Sequence, residues 1–374
     1  MIEIIEVKTK KQLKEFVKFP NDLYKNCEFF VPEITIDALT MFDRKKNACF
    51  ENTDGIFFLA YKDGKIVGRI AGLLQNDYNK INNVKAVRFT RFDSIDDQEV
   101  ANALFNSVEE WAKKIGMERV IGPLGFNDLD REGLLIRGFD KLSTFETQYN
   151  YEYYQKLIEN CGYGKDIDWV EYKIKIPEKI DARYTRIREK VLKQYNFKEI
   201  VLKNKVKMIN SYGDKIFDLV DEAYKELYGV VPYSDRVRKQ FIKSFKIILN
   251  LKYVSIVVDE NDDIIGFGLA FPSVAEAVRD SRGKLLPTGI FKILNALKHP
   301  KLVDLALIAV KDKYKRTGLT AILFNKILES MIEDGVKYAE TNLNLETNET
   351  IQAQWRTFEH EQHKQRRSFI KHLL

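Results

Sequence analysis

Apolar and polar positions along this chain switch between a two-residue and a 3.6-residue period, and the order of the switches occurs twice. Residues 57–61 are an apolar run, 62–65 read Lys-Asp-Gly-Lys, and 66–72 are a second run, which predicts a β-hairpin. Residues 254–258, 259–263 and 264–270 repeat that pattern. A third strand at 87–93 answers one at 302–310, and an amphipathic helix at 98–115 answers one at 319–334. Gly116 and Gly335 stand where left-handed C-caps end those helices. Short strands follow at 119–121 and 338–342, helices at 151–161 and 347–361, and last strands at 169–176 and 367–373. Helices at 11–17 and 212–227 lead into the two hairpins. The predicted fold is α/β with mixed sheets, in two tandem units of a β-hairpin followed by β-α-β-α-β. The units span 1–176 and 207–374, and a charge-rich connector with a helix at 180–195 joins them.

Chemistry enters at the turn between the strand at 302–310 and its helix. Lys315, Arg316, Thr317, Gly318, Leu319 and Thr320 place two cations and a glycine at a helix start. Free N–H groups and the positive end of the macrodipole favour an anion there, so the predicted ligand carries phosphate. Neither GxxxxGK[ST] nor GxGxxG occurs at this turn, which excludes a Walker loop and a dinucleotide fingerprint.

Composition narrows the class further. The 374 residues are 45% hydrophobic and 31% charged, with no secretory leader and no apolar run long enough to span a bilayer, so a cytoplasmic globular protein of two domains is expected, with no membrane partner. Net charge is only +6 and is dispersed, apart from a basic stretch at Lys364, Arg366 and Arg367, so no nucleic-acid partner is expected. Cys27, Cys49 and Cys161 are widely spaced and the histidines lack carboxylate company, so neither a disulfide framework nor a metal is expected. A last strand at an exposed sheet edge, reaching Leu374, would allow a homodimer.

Among the carboxylates, Asp304 interrupts an apolar strand and must be either paired or at a cleft edge, which makes it a catalytic candidate. Glu222 and Glu226 read as a solvated helix face, and Glu340 lies on the next strand. The Gly-flanked loop 125–137 is too polar for a core; Asn127, Asp128 and Glu132 are its candidates for contacting a substrate.

The hairpins, the long strand, the turn and its helix resemble the GNAT superfamily of acyl-CoA-dependent N-acyltransferases over nearly the whole chain. The phrases at 264–272, 283–287 and 296–300 are similar to those of bacterial proteins with two such domains. The resemblance implies acetyl-CoA or another acyl-CoA as cofactor, and a small-molecule or peptide amine as acceptor. The superfamily's pyrophosphate loop, Arg/Gln-x-x-Gly-x-Gly/Ala, is matched by Lys315 and Gly318, while Thr320 departs from it. The backbone of Ile308, Ala309 and Val310 would splay from the next strand to meet pantetheine, and Asn348 would lie beside the cofactor. Tyr228, as a catalytic candidate, and Tyr233, as an acceptor contact, sit at a bend that borders the acceptor cleft in the superfamily. The tyrosine often used as acid is missing from 347–361. In the first half, the equivalent turn at 94–97 has no glycine and two carboxylates, of which Asp96 or Asp97 serves as an N-cap. That half is expected to be degenerate. The other reading is a catalytically silent acyl-CoA-binding or regulatory protein.

Overall fold

The computed structural model describes residues 1–246 and 248–373. Its strands are β1 (Ile2–Glu6), β2 (Thr53–Lys62), β3 (Lys65–Gln75), β4 (Ala86–Ser94), β5 (Arg119–Gly122), β6 (Leu134–Arg137) and β7 (Gly164–Lys175), then β8 (Lys198–Glu199), β9 (Val254–Val258), β10 (Ile264–Pro272), β11 (Leu302–Val310), β12 (Tyr338–Thr341), β13 (Asn344–Leu345) and β14 (His360–His372). They form one sheet in the order β1-β2-β3-β4-β5-β14-β7-β12-β11-β10-β9-β8, with β6 beside β14 and β13 beside β7. The repeat read from the sequence is therefore present, with an exchange at its centre. The last strand of the first half, β7, pairs with β12 of the second, and the last strand of the second half, β14, pairs with β5 of the first. The long β7–β14 ladder lies between them and serves both halves.

This topology corrects two expectations. The final strand is interior, so it offers no free edge for a second copy; the sheet's outer strands are β1 and β8, and Leu374 lies outside the described residues. The final strand is also longer than expected, because the predicted helix at 347–361 stops at Trp355 and the chain is extended from His360. Along β14 the buried side chains include His363, Lys364 and Arg366, so the strand shows no apolar alternation.

Helix Gln98–Lys114 packs on β2 and β3, and helix Leu319–Glu333 packs on β9, β10 and β11. The glycines of the return strands admit them: a Cβ on Gly68 would lie 2.8 Å from Leu104 Cδ1, and one on Gly266 would lie 3.0 Å from Leu323 Cδ1. The connector helix, Ala182–Tyr195, lays Val191 and Leu192 against Leu319, Ile322 and Leu323. The other face of the second half is covered by helices Lys205–Tyr224 and Asp235–Phe245.

A buried polar seam runs under β12, β7 and β14. Arg366 Nε donates to Glu171 at 2.6 Å, Lys364 Nζ donates to Glu340 at 2.8 Å, and Arg366 also reaches the carbonyls of Gly133 and Gln148. Arg366, Lys364 and Glu171 have side chains at most 1% exposed, so these charges depend on one another across the two halves.

Candidate functional site

The site begins where β11 and β12 part. They pair in parallel from Leu302 with Tyr338 to Leu305 with Thr341, and the amide of Asn342 donates to Leu305 O at 3.0 Å. Beyond this point the second strand leaves: Asn344 takes up pairing with Val170 of β7, and its side chain accepts from Trp355 Nε1 at 2.9 Å. On the other side of β11, Leu269 and Ala270 face Leu307 and Leu305, leaving Ala306 as a bulge. Ala306, Leu307 and Ile308 thus border a cavity of about 200 Å³ whose opposite wall is 341–345.

Carboxyl groups collect in this cavity. Asp128, Glu132 and Glu146 line it, each half-buried. Burial pushes the Asp128 carboxyl up to about 6, although the hydroxyl of Tyr233, donating to Asp128 Oδ1 at 2.7 Å, favours the charged form. Burial likewise raises Glu146 to about 7, and burial followed by repulsion from Asp128 holds Glu132 well above the usual range. Acidic groups poised to change charge near neutral pH suit a cationic partner or proton transfer.

Below the strand end, residues 312–314 make a 3-10 turn, and Gly318 starts helix Leu319–Glu333 with φ +88° and no side-chain cap. Among the described residues nothing accepts from the amides of Gly318, Leu319 and Thr320. A Cβ on Gly318 would meet only Val191, at 3.7 Å, so the approach is open. Lys315 is paired with Asp312 at 2.7 Å, which offsets part of the loop's positive charge, while Arg316 is exposed. Thr317 is tied to Tyr314 O at 2.8 Å, and Thr320 is half-buried.

The remaining candidates fall in several places. Asn348 lines the cavity and caps helix Glu349–Trp355 by accepting from Ile351 N. Tyr228 contributes its ring to the cavity, but its hydroxyl donates to Asp166 and lies 3.2 Å from Ser368 Oγ. Asp304 does not line the cavity. It is buried with an unpartnered Oδ1, and burial with the neighbouring Glu340 raises its pKa well above the usual range. Asn127 faces away, accepting from Leu129 N at 3.0 Å and donating to Cys49 Sγ at 3.4 Å.

Two residues were missed. Tyr224 places its hydroxyl on the edge of β11 that no strand pairs, donating to Ile308 O at 3.1 Å and accepting from Ile308 N at 3.2 Å. Spacing alone could not separate it from Tyr228 one turn later. Glu146 was also passed over, since no motif marks it.

The corresponding place in the first half is filled. There β4 and β5 pair over 86–88 with 119–121 before parting. Arg91, at φ +51°, lies within the bulged stretch of β4 and runs its guanidinium to Glu33 at 2.9 Å and Asp130 at 2.6 Å. Arg69 pairs with Asp93, and the Ser94 amide donates to Tyr154 Oη. Asp97 caps the following helix and holds Lys62 at 2.7 Å.

A strand pair that splays beside a bulge and leads into a helix, in two halves, is the GNAT fold carried twice. A tandem GNAT protein from the clavulanic acid biosynthesis pathway aligns over 100% of this chain and 99% of its own, with a TM-score of 0.59 at 10% identity. The GCN5-related glucosamine N-acetyltransferase region of a fungal multi-domain GH3 β-N-acetylglucosaminidase aligns over 99% of this chain and 38% of its own, with a TM-score of 0.55 at 10% identity. At that identity the likeness concerns the fold. In sequence, the chain is 24% identical over 327 residues to protein YghO of Escherichia coli, covering 86% of this chain and 82% of that one. It is 26% identical over 327 residues to a bacterial ceramide synthase of Caulobacter vibrioides, covering 84% and 82%. No family model matches the chain. No described helix is long and apolar enough to cross a membrane.

Proposed function

We propose that the protein is a cytoplasmic acyl-CoA-dependent N-acyltransferase, with its cofactor on the second half, 207–374, and a first half, 1–176, that only helps to shape the cavity. The observation that carries this reading is the unpaired edge of β11 facing three half-buried carboxyl groups, with an open helix start at the strand's end. Acyl-CoA supplies an activated thioester carbonyl. Gly318, Leu319 and Thr320 offer amides to pyrophosphate, with Lys315 and Arg316 beside them. The edge from Ala306 to Val310 offers backbone groups to pantetheine, and the Ile308 amide passes from the Tyr224 hydroxyl to the carbonyl oxygen when the thioester binds. Glu132 and Glu146, held neutral by burial, ionise when a cation lies beside them and so hold the ammonium form of the acceptor. Asp128, ionised above about pH 6 and held by Tyr233, takes the proton that frees the amine. Tyr224 is the proton donor for the leaving sulfur, a role the helix after β12 cannot fill because it has no tyrosine. The relative named as a ceramide synthase also makes an amide, which agrees with this class of reaction.

The silent alternative draws on one observation: the Tyr224 hydroxyl already engages both Ile308 groups. Release of free thiol from acyl-CoA over a panel of primary amines separates the two readings. Amine-dependent release that falls at least tenfold in Asp128→Asn supports the enzyme; binding without release supports the silent protein.

A further inference from the structure

A second cavity, of about 90 Å³, lies under helix Lys205–Tyr224. Met208, Ile209, Ile216, Val220, Ile242 and Phe245 line it, and its surface is almost entirely carbon. It is separated from the site cavity only by shared walls: Leu129, Leu269 and Leu307 border both. Leu307 lies between the bulged Ala306 and Ile308, so the chamber begins directly behind the strand edge that would hold the thioester.

The sequence builds this chamber. The stripe Met208, Ile209, Ile216 and Val220 turns one face of the helix inward, and Gly213, between them, brings the helix close to Ile242 of the next one. Such a lining gives water no polar partners, and a polar acceptor would lose hydrogen bonds on entering the pocket. Methylene groups would gain by filling it. An acetyl group has no need of it.

We infer that this chamber receives the tail of a fatty acyl group, so that the donor is a medium- or long-chain acyl-CoA rather than acetyl-CoA; the inference rests on the acyl-CoA reading above. The partition is made of leucine side chains, which can rotate aside. The carboxyl groups Asp128, Glu132 and Glu146 belong to the other cavity alone, so the acyl tail and the amine occupy separate compartments.

The test is calorimetric titration of the full chain with CoA, acetyl-CoA, octanoyl-CoA and decanoyl-CoA. Each buried methylene is worth roughly fourfold in affinity, so octanoyl-CoA should bind at least about 100-fold more tightly than acetyl-CoA. Ile216→Trp, which fills the chamber, should cut the octanoyl-to-acetyl ratio at least tenfold, and Ile242→Ala, which enlarges it, should shift the preference toward decanoyl-CoA. Opposite shifts in two variants cannot come from misfolding. Equal affinity for acetyl-CoA and octanoyl-CoA, or a ratio that neither variant moves, overturns the chamber assignment and leaves the acyl-CoA reading intact. Failure of all four compounds to bind overturns both.

Discussion

Replacing Arg366 by Met tests whether the exchanged strands hold the two halves together. Arg366 sits on β14 with 0% side-chain exposure and donates to Glu171 of β7 at 2.6 Å. Methionine approximates the length of the side chain but leaves Glu171, also 0% exposed, without its nearest cation. Breaking a buried pair from one side costs about 3–5 kcal/mol. Lys364 stays 3.9 Å from Glu171, but its closer partner is Glu340 at 2.8 Å, so it offsets only part of the loss. The carbonyls of Gly133 and Gln148 lose a donor as well. With an unfolding entropy of about 2.1 cal/mol/K per residue, such a loss lowers Tm by about 4–6 °C if the chain unfolds as one unit. One sheet through both halves predicts that it does, so calorimetry should show a single transition in both proteins. Arg366→Met/Glu171→Gln, which removes the stranded charge, should recover about half of the shift. A change in Tm below about 1 °C in the single variant, or a double variant no more stable than the single, would show that the Arg366–Glu171 pair does not hold the halves together.

Two further predictions concern the cavity. Asp128 and Glu146 titrate in the folded protein at about 6 and about 7, above their ordinary values, so the folded state binds more protons than the unfolded one between about pH 4 and 7. Their contribution to stability is complete below the unfolded values and is lost as pH rises through the folded ones; Glu146→Gln should therefore flatten the fall in Tm between pH 4.5 and 7.5, and a variant whose profile parallels the wild type contradicts the assignment. Tyr224→Phe should lower amine-dependent thiol release by about 10²–10⁴-fold while leaving CoA affinity within about threefold, and full activity would remove Tyr224 from proton transfer.

Much of the fold is legible in the sequence because the signals are local. The strands at 254–258 and 302–310 match β9 and β11, and Gly116 and Gly335 take positive φ where the helices end. The exchange of β7 and β14 is not legible, since each half carries the same order of elements whichever partner its last strand takes. Nor is the length of β14, whose inward face is His363, Lys364 and Arg366 rather than apolar residues. At the site, the open turn at Gly318 is visible as a motif. The cavity wall is not: Tyr224 and Tyr228 read as one helical turn apart, but the helix ends at Tyr224, so one hydroxyl meets β11 and the other meets Asp166. Asp304 reads as a carboxylate either paired or at a cleft edge because it breaks an apolar strand, yet it is buried beside Glu340 with its Oδ1 unpartnered.

The most direct test of the central claim is calorimetric titration of CoA and octanoyl-CoA into the wild type and into Gly318→Glu. The variant forces a side chain onto a residue at φ +88° and sets a carboxylate where the phosphate would lie. Micromolar binding to the wild type and a loss of at least about 100-fold in the variant are expected, with the circular dichroism spectrum unchanged. No binding to the wild type, or equal binding to both proteins, would contradict that claim.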